Sequence, residues 1–384
     1  MHFPSCLLAE HVFPRLSARQ LVRFSQTDKF NYASVSDYST YAFSITKTLG
    51  HYFTPDQITA FRILQAQTGA IISGSTALQF FDRTYYPESD LDLYVTDEDA
   101  EPLIDWIMGI GYNPQAPINR PGKDEPQSKC TAKGHIESCQ CSVTIGTFTD
   151  PKFAEYGPLA SEIVGVYTFL KTFGGRERKV QVVTAIDSPC EVMLRFHSTC
   201  VMNIITHSTA YSLFPLATFE SRQSLYNHWS AAENQLNVNA ALEKYRRRGW
   251  EQLKSQTLIS SPQREDPKSD FYSPARYRYS DEIEDIRFVG DKRCWTMSLY
   301  PKVAQANQDL LAYSSSWRLE VDAADSVMTF NLLMSPALDN QYVVAEALVP
   351  FLEPIVKKLE REHKKKCDGR FQAFLRAYLE LVRD

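Results

Sequence analysis

The sequence predicts an α+β fold: a mixed sheet flanked by helices, with an N-terminal helical unit and a C-terminal α/β extension. Three observations predict it. From Leu7 to about Gln67 apolar residues recur at helical spacing, as in Leu7, Leu8, Val12, Leu16 and Leu21. Between Ala70 and Val183 the pattern switches repeatedly between strand and helix, the mark of a mixed α/β unit. Residues 286–384 then hold three strand-like runs followed by two helical ones.

Composition sets the bounds. A chain of 384 residues, 43% apolar and 12% aromatic, can bury a sizeable core and is expected to form two or three structural units. A formal charge of −5 makes the overall field repel polynucleotides, so nucleic acid is not a favoured partner. Small anions carried with a metal remain possible ligands. Eight dispersed cysteines do not form a dense disulfide framework and read as reduced thiols. The N-terminus has no basic and long apolar leader pattern, and no run approaches the roughly 18 apolar residues that span a bilayer. The expected setting is the cytoplasm or nucleus, away from a membrane.

The elements follow in order. Residues 1–67 read as a helical cap, with Ser17-Ala18-Arg19-Gln20 and Thr54-Pro55-Asp56-Gln57 each matching a capping box. Residues 68–254 form the next unit. It starts with a short buried strand at Ala70-Ile71-Ile72, a helix from Ser75 to Phe81, a strand from Leu91 to Val95 and a helix from Ala100 to Ile110. A polar stretch from Asn113 to Lys133 reads as a loop. A hairpin is expected from Val164 to Leu170 and Lys179 to Val183, turning at Gly174-Gly175. The apolar spacing from Ser188 to Ile205 suggests one helix, and Ala231 to Trp250 another. Residues 255–285, rich in Ser, Pro and charge, read as a linker or long loop. Residues 286–384 then carry strands near Cys294 to Leu299, Trp317 to Val321 and Val327 to Leu333, and helices at Val343 to Lys358 and Arg370 to Val382.

Chemistry concentrates in two short runs. In Ser73-Gly74-Ser75-Thr76 a strand ends at a glycine and a hydroxyl residue opens a helix. Such a turn exposes free backbone amides at the positive helix end, and glycine lets an anion approach. Asp90-Leu91-Asp92 follows on the next strand. Residues i and i+2 of a strand share a face, so Asp90 and Asp92 project together. Adjacent carboxylates repel each other unless a cation lies between them. Mg²⁺ favours such oxygen ligands and often pairs one or two carboxylates with substrate phosphates.

These residues resemble the signature of the nucleotidyltransferase superfamily, with its DNA polymerase beta-like fold: a hydrophobic residue, Gly-Ser or Gly-Gly, a helix, and then Asp-x-Asp. Ile72, Gly74, Ser75, Asp90 and Asp92 carry the match, within roughly residues 68–205. The resemblance implies a nucleotidyltransferase-like mixed sheet. It also implies a nucleoside triphosphate held at Gly74, Ser75 and Thr76, Mg²⁺ (or Mn²⁺) on Asp90 and Asp92, and transfer of a nucleotidyl group to a hydroxyl acceptor. Arg83 could reach a phosphate, or form a local ion pair with Asp82. The longer runs Ser-Gly-Ser-Thr-Ala-Leu-Gln-Phe-Phe-Asp-Arg and Ser-Asp-Leu-Asp-Leu also resemble a group of fungal proteins, a likeness that implies no activity.

One position departs from the pattern. Active members carry a third acidic residue on a later strand, where it helps hold an activating second metal. The matching strand, Arg178 to Val183, offers Gln181 as the inward polar residue. Two readings follow: an enzyme in which Asp187, Glu162 or a shifted register completes the set, or a pseudoenzyme that binds nucleotide or serves only as an interaction module. Separately, Phe13-Pro14-Arg15-Leu16-Ser17 with Gln20 to Ser25 resembles the start of an F-box, which would imply a ubiquitin-ligase adaptor as partner. A helical cap on the neighbouring unit explains the same spacing.

Other candidates have plain alternatives. Cys130, His135, Cys139 and Cys141 have the residue types of a zinc site without a standard spacing. His197 could face the site or be a satisfied core histidine. Lys244 and Arg246 to Arg248 could meet phosphates or form a solvated helix end. Lys364 to Lys366 read as a solvated turn.

Overall fold

A computed structural model describes residues 7–115, 162–227, 235–255, 285–303, 311, 314–321, 326–338, 340–362, 366 and 368–381. The Cys130–Cys141 group and almost all of the 255–285 stretch lie outside the described residues.

Four helices open the chain: α1 (Ala18–Ser25), α2 (Lys29–Ala42), α3 (Ile45–Leu49) and α4 (Pro55–Thr68). Both capping boxes form. The Ser17 hydroxyl accepts from the Gln20 amide and the Gln20 side chain accepts from the Ser17 amide, and Thr54 and Gln57 do the same ahead of Pro55. There follow β1 (Ile71–Ser73), α5 (Gly74–Asp82), β2 (Leu91–Thr96), α6 (Ala100–Gly109), β3 (Asn113–Pro114), β4 (Ile163–Phe173), β5 (Arg176–Ala185) and α7 (Pro189–Leu194). Next come β6 (Asn203–Ile205), β7 (Thr209–Ser212), β8 (Gln223–Leu225), α8 (Gln235–Arg247), β9 (Glu251–Leu253), β10 (Ile286–Phe288) and β11 (Trp295–Ser298). The chain ends with β12 (Ser316–Val321), β13 (Ser326–Thr329), β14 (Asn331–Leu333), β15 (Tyr342–Val344), α9 (Val349–Glu362) and α10 (Asp368–Leu381).

The fold is therefore mixed α+β, built on an eight-stranded sheet of order β11-β7-β6-β1-β2-β5-β4-β3 and flanked by helices. β1 runs antiparallel to β2, and β2 runs parallel to β5 with Leu91 opposite Val180 and Asp92 opposite Gln181. Burial is nearly continuous along β1, β2 and the second half of β5, as a sheet covered on both faces requires, while successive side chains enter opposite cores. Leu91, Leu93, Val95, Val180 and Val182 enter one apolar core with α4 and α6, whereas Tyr94, Val183 and Ala185 enter a second core with α7. A third core joins Tyr342 and Val344 to Leu352, Phe371 and Leu375 of the terminal helices.

Two expectations need correction. The run from Ser188 to Ile205 is not one helix: α7 stops at Leu194, and Asn203–Ile205 and Thr209–Ser212 form a hairpin inside the sheet. Ile204 and Ile205 are fully buried, and a short apolar run buried on both faces has no periodicity that separates strand from helix. Val343 lies in β15 rather than in a helix, which starts at Val349 with Pro350 in its first turn, where proline is tolerated. β11 pairs with β7 and so extends the main sheet past residue 286. Likewise Phe43, Leu49, Phe53 and Phe61 share the core of β1 and β2, so only the segment around Leu8, Phe13, Leu21, Val35 and Tyr38 has a core of its own. Among the described residues no helix is long and apolar enough to cross a membrane.

Candidate functional site

β1 ends at Ser73, whose hydroxyl donates to the Asn203 carbonyl at 2.7 Å and so fixes the strand against β6. Gly74 then takes φ +64°, a left-handed conformation that an L side chain rarely adopts, and opens α5. A Cβ at this position would lie 2.8 Å from Oδ2 of Asp92. The helix start and the carboxylate meet there only because residue 74 has no side chain.

The Asp90–Asp92 segment is held by hydroxyls from a helix and a loop. Thr76 Oγ1 donates to the Asp90 carbonyl at 2.8 Å, and the Tyr52 hydroxyl donates to the Ser89 carbonyl at 2.8 Å. Tyr112 in turn donates to the Tyr52 carbonyl at 2.9 Å. Burial, and then the charges of Asp92 and Asp90, raise the Tyr52 phenol well above its ordinary value against a lowering contact from Thr76, so it remains a neutral donor. Thr76, expected at the phosphates, is thus committed through its hydroxyl to the strand.

Both carboxylates occupy the sheet face that carries Tyr94, and Asp90 forms an ion pair with Lys179 of β5. The two side chains are 27% and 17% exposed, so the pair is partly withdrawn from water. Gln181, two residues further along the same face, lies beside Asp92 with its amide nitrogen donating to Thr168 Oγ1 at 3.2 Å. The residue facing Asp92 across this rung is therefore an amide and not a carboxylate. Asp187 and Glu162 lie away from it. Asp187 lies six residues beyond Gln181, which on an extended strand is about 20 Å toward the opposite end of the sheet, and Glu162 hydrogen-bonds through its carbonyl to Ile186 there.

Arg83 turns away from the Gly74-Ser75 turn. At φ +56° it caps α5 and sends its guanidinium to the N-terminal segment, donating to the carbonyls of Phe13 (3.1 Å) and Leu16 (2.6 Å) and to the Tyr38 hydroxyl (3.1 Å). Asp82 pairs instead with Arg222 at 2.7 Å, so the local Asp82–Arg83 pair does not form. Glu220 completes the docking by accepting from the Ser17 hydroxyl at 2.7 Å and the Arg19 amide at 3.0 Å.

The remaining candidates resolve into structural roles. His197 is partly buried, with Nδ1 2.6 Å from the Ser198 hydroxyl; burial and then the Lys244 charge pull its pKa down to about 4. Arg246 and Arg247 both engage Glu243, and Arg248 stacks over Tyr86 at 3.9 Å. Lys366 donates to the Leu338 carbonyl at 2.7 Å. The three described cysteines are free, and burial raises the Cys190, Cys200 and Cys294 thiols to about 12, 11 and 12.

Reasoning from sequence missed Lys179 and Tyr52. Lys179 had a usable signal, because it stands two residues before Gln181 on a strand and must share its face. Tyr52 had none, since it reaches Ser89 only through the packing of the loop that follows α3.

The donor set suits one divalent ion better than two. Two carboxylates on one face beside a helix N-terminus match the oxygen preference of Mg²⁺ and its habit of sharing ligands with phosphates. Among the described residues no group of three or more His, Cys, Asp or Glu side chains is arranged to hold a metal. Comparison with known proteins returns no matching family model, no matching curated protein and no matching solved structure.

Proposed function

We propose that the chain is a nucleotidyltransferase-like protein that binds a nucleoside triphosphate with one Mg²⁺ or Mn²⁺ ion at Gly74, Ser75, Asp90 and Asp92. The observation that carries the reading is the approach of Gly74 to Asp92, which brings a helix N-terminus against one carboxylate of the Asp-x-Asp run. The strand directions also support it: β1 antiparallel to β2 and β2 parallel to β5 set the Gly74 turn, the Asp-x-Asp run and Gln181 side by side. The Ser75 amide and its neighbours would meet the phosphates at the positive helix end. When bound, the ion would neutralise phosphate charge against Asp90 and Asp92.

The amide at Gln181 and the ammonium at Lys179 favour binding over transfer. A second, activating ion needs negative charge that neither supplies. The second reading, a catalytically degenerate module, has this support. The adaptor reading rests on the F-box-like run, whose Phe13 and Leu21 are buried in the unit's own core.

Binding of each of the four nucleoside triphosphates, with and without Mn²⁺, tests the proposal, with pyrophosphate release measured alongside. Ion-dependent binding that disappears in Asp90→Ala/Asp92→Ala is the expected result. Binding of equal strength in the double variant would overturn the assignment. Pyrophosphate release by the wild type would turn the degenerate reading into an active one.

A further inference from the structure

We propose that the Lys179 ammonium is the resident counter-ion of the Asp90–Asp92 pair, and that a divalent ion enters this site by displacing it. The inference rests on the metal-site reading above but concerns a state with no ligand bound. Side-by-side carboxylates repel, and a nearby cation relieves the repulsion. Lys179 supplies that cation: the ammonium is carried on the strand parallel to β2, one residue before the Val180–Leu91 rung, and pairs with Asp90. With both side chains less than a third exposed, the attraction is less screened than in a surface pair.

Charge makes the same point. Asp90, Asp92 and Lys179 together carry −1, and a third carboxylate at position 181 would have made it −2. A site at −1 needs no metal to persist, and one divalent ion brings it to +1, a charge suited to a polyanionic phosphate. Gln181 and Lys179 therefore belong together: with an amide at position 181, a single ammonium lowers the charge of the carboxylate pair from −2 to −1. An ammonium freed from Asp90 remains tethered beside the site as a donor for the incoming anion.

The test is Mn²⁺ binding to the full chain without nucleotide, followed by electron paramagnetic resonance, together with thermal unfolding. Lys179→Met should bind Mn²⁺ at least tenfold tighter than wild type. It should also melt lower without metal and regain stability when Mn²⁺ is added. Lys179→Arg, which keeps the charge, should behave like wild type. In the unaltered chain the Lys179 side-chain ammonium resonance, assigned by its loss in Lys179→Arg, should shift on addition of Mg²⁺, a readout that holds even if Lys179→Met does not fold. Mn²⁺ affinity unchanged in Lys179→Met, or a Lys179 resonance indifferent to saturating Mg²⁺, would overturn the proposal. The two claims fail separately. Wild type that binds triphosphate while Lys179→Met leaves Mn²⁺ affinity unchanged removes the counter-ion role alone. A Lys179→Met chain with tightened Mn²⁺ binding and no triphosphate binding in either protein removes the nucleotide reading alone.

Discussion

Asp92 and Gln181 occupy the same rung of a parallel strand pair, with the Gln181 amide turned to Thr168 on the far side. An acid at this rung would add a third negative charge beside Asp90 and Asp92. Gln181→Asp should therefore destabilise the metal-free protein by about 1–3 kcal/mol, and Mn²⁺ should recover the loss. Thermal unfolding with and without Mn²⁺ checks this; a melting temperature unchanged in both conditions would remove Gln181 from the site.

Gly74→Ala combines a left-handed backbone with a Cβ 2.8 Å from Asp92 Oδ2. Gly69 provides the control, because it has φ +66° but nothing within 4 Å of an added Cβ. Both alanine variants should lose about 1–3 kcal/mol to backbone strain. Only Gly74→Ala should add the cost of moving Asp92, and only it should weaken triphosphate binding. Equal losses of stability and intact binding in both would mean that the close approach has no role in the ligand site.

The N-terminal segment is fastened by Arg83 from one side and Glu220 from the other. Arg83→Ala should leave the carbonyls of Phe13 and Leu16 without this donor, and Glu220→Ala should leave the Ser17 hydroxyl and Arg19 amide without an acceptor. Amide exchange within residues 8–42 should accelerate in either variant while β2 and β5 keep their protection. Because both contacts hold one rigid segment, the effects of the double variant should be less than additive. Acceleration spread evenly over the sheet would contradict a separable dock.

Acid sensitivity should follow His197. Its folded pKa, about 4, lies below the ordinary value of 6.5, so the folded state disfavours the charged ring. The stability this withholds from protonation is fully present above pH 6.5 and is lost as pH falls toward 4. His197→Gln should flatten the stability profile between pH 6.5 and 4, measured by chemical denaturation; an unchanged slope would place the acid sensitivity on other groups.

The parts of the fold legible in the sequence are those written in local chemistry. The two capping boxes, Pro55 at the first helical position and the Gly74 turn each act through neighbours a few residues away. The Asp90–Asp92 pairing is equally local, since it follows from the two-residue period of a strand. What escaped depends on distant partners. Asn203–Ile205 becomes a strand because β1 and β7 flank it, and Trp295–Ser298 joins the main sheet because β7 offers an edge. Arg83 illustrates the same limit at the site: its position near the turn suggested a phosphate, whereas carbonyls about 70 residues away in sequence take its hydrogen bonds.

The central claim is a single-ion phosphate site at Asp90 and Asp92, and counting bound ions tests it most directly. Electron paramagnetic resonance of the full chain, saturated with a non-hydrolysable nucleoside triphosphate and titrated with Mn²⁺, should show one protein-bound ion per chain, lost in Asp92→Ala. No protein-bound ion, or an ion retained undiminished in Asp92→Ala, would contradict the claim.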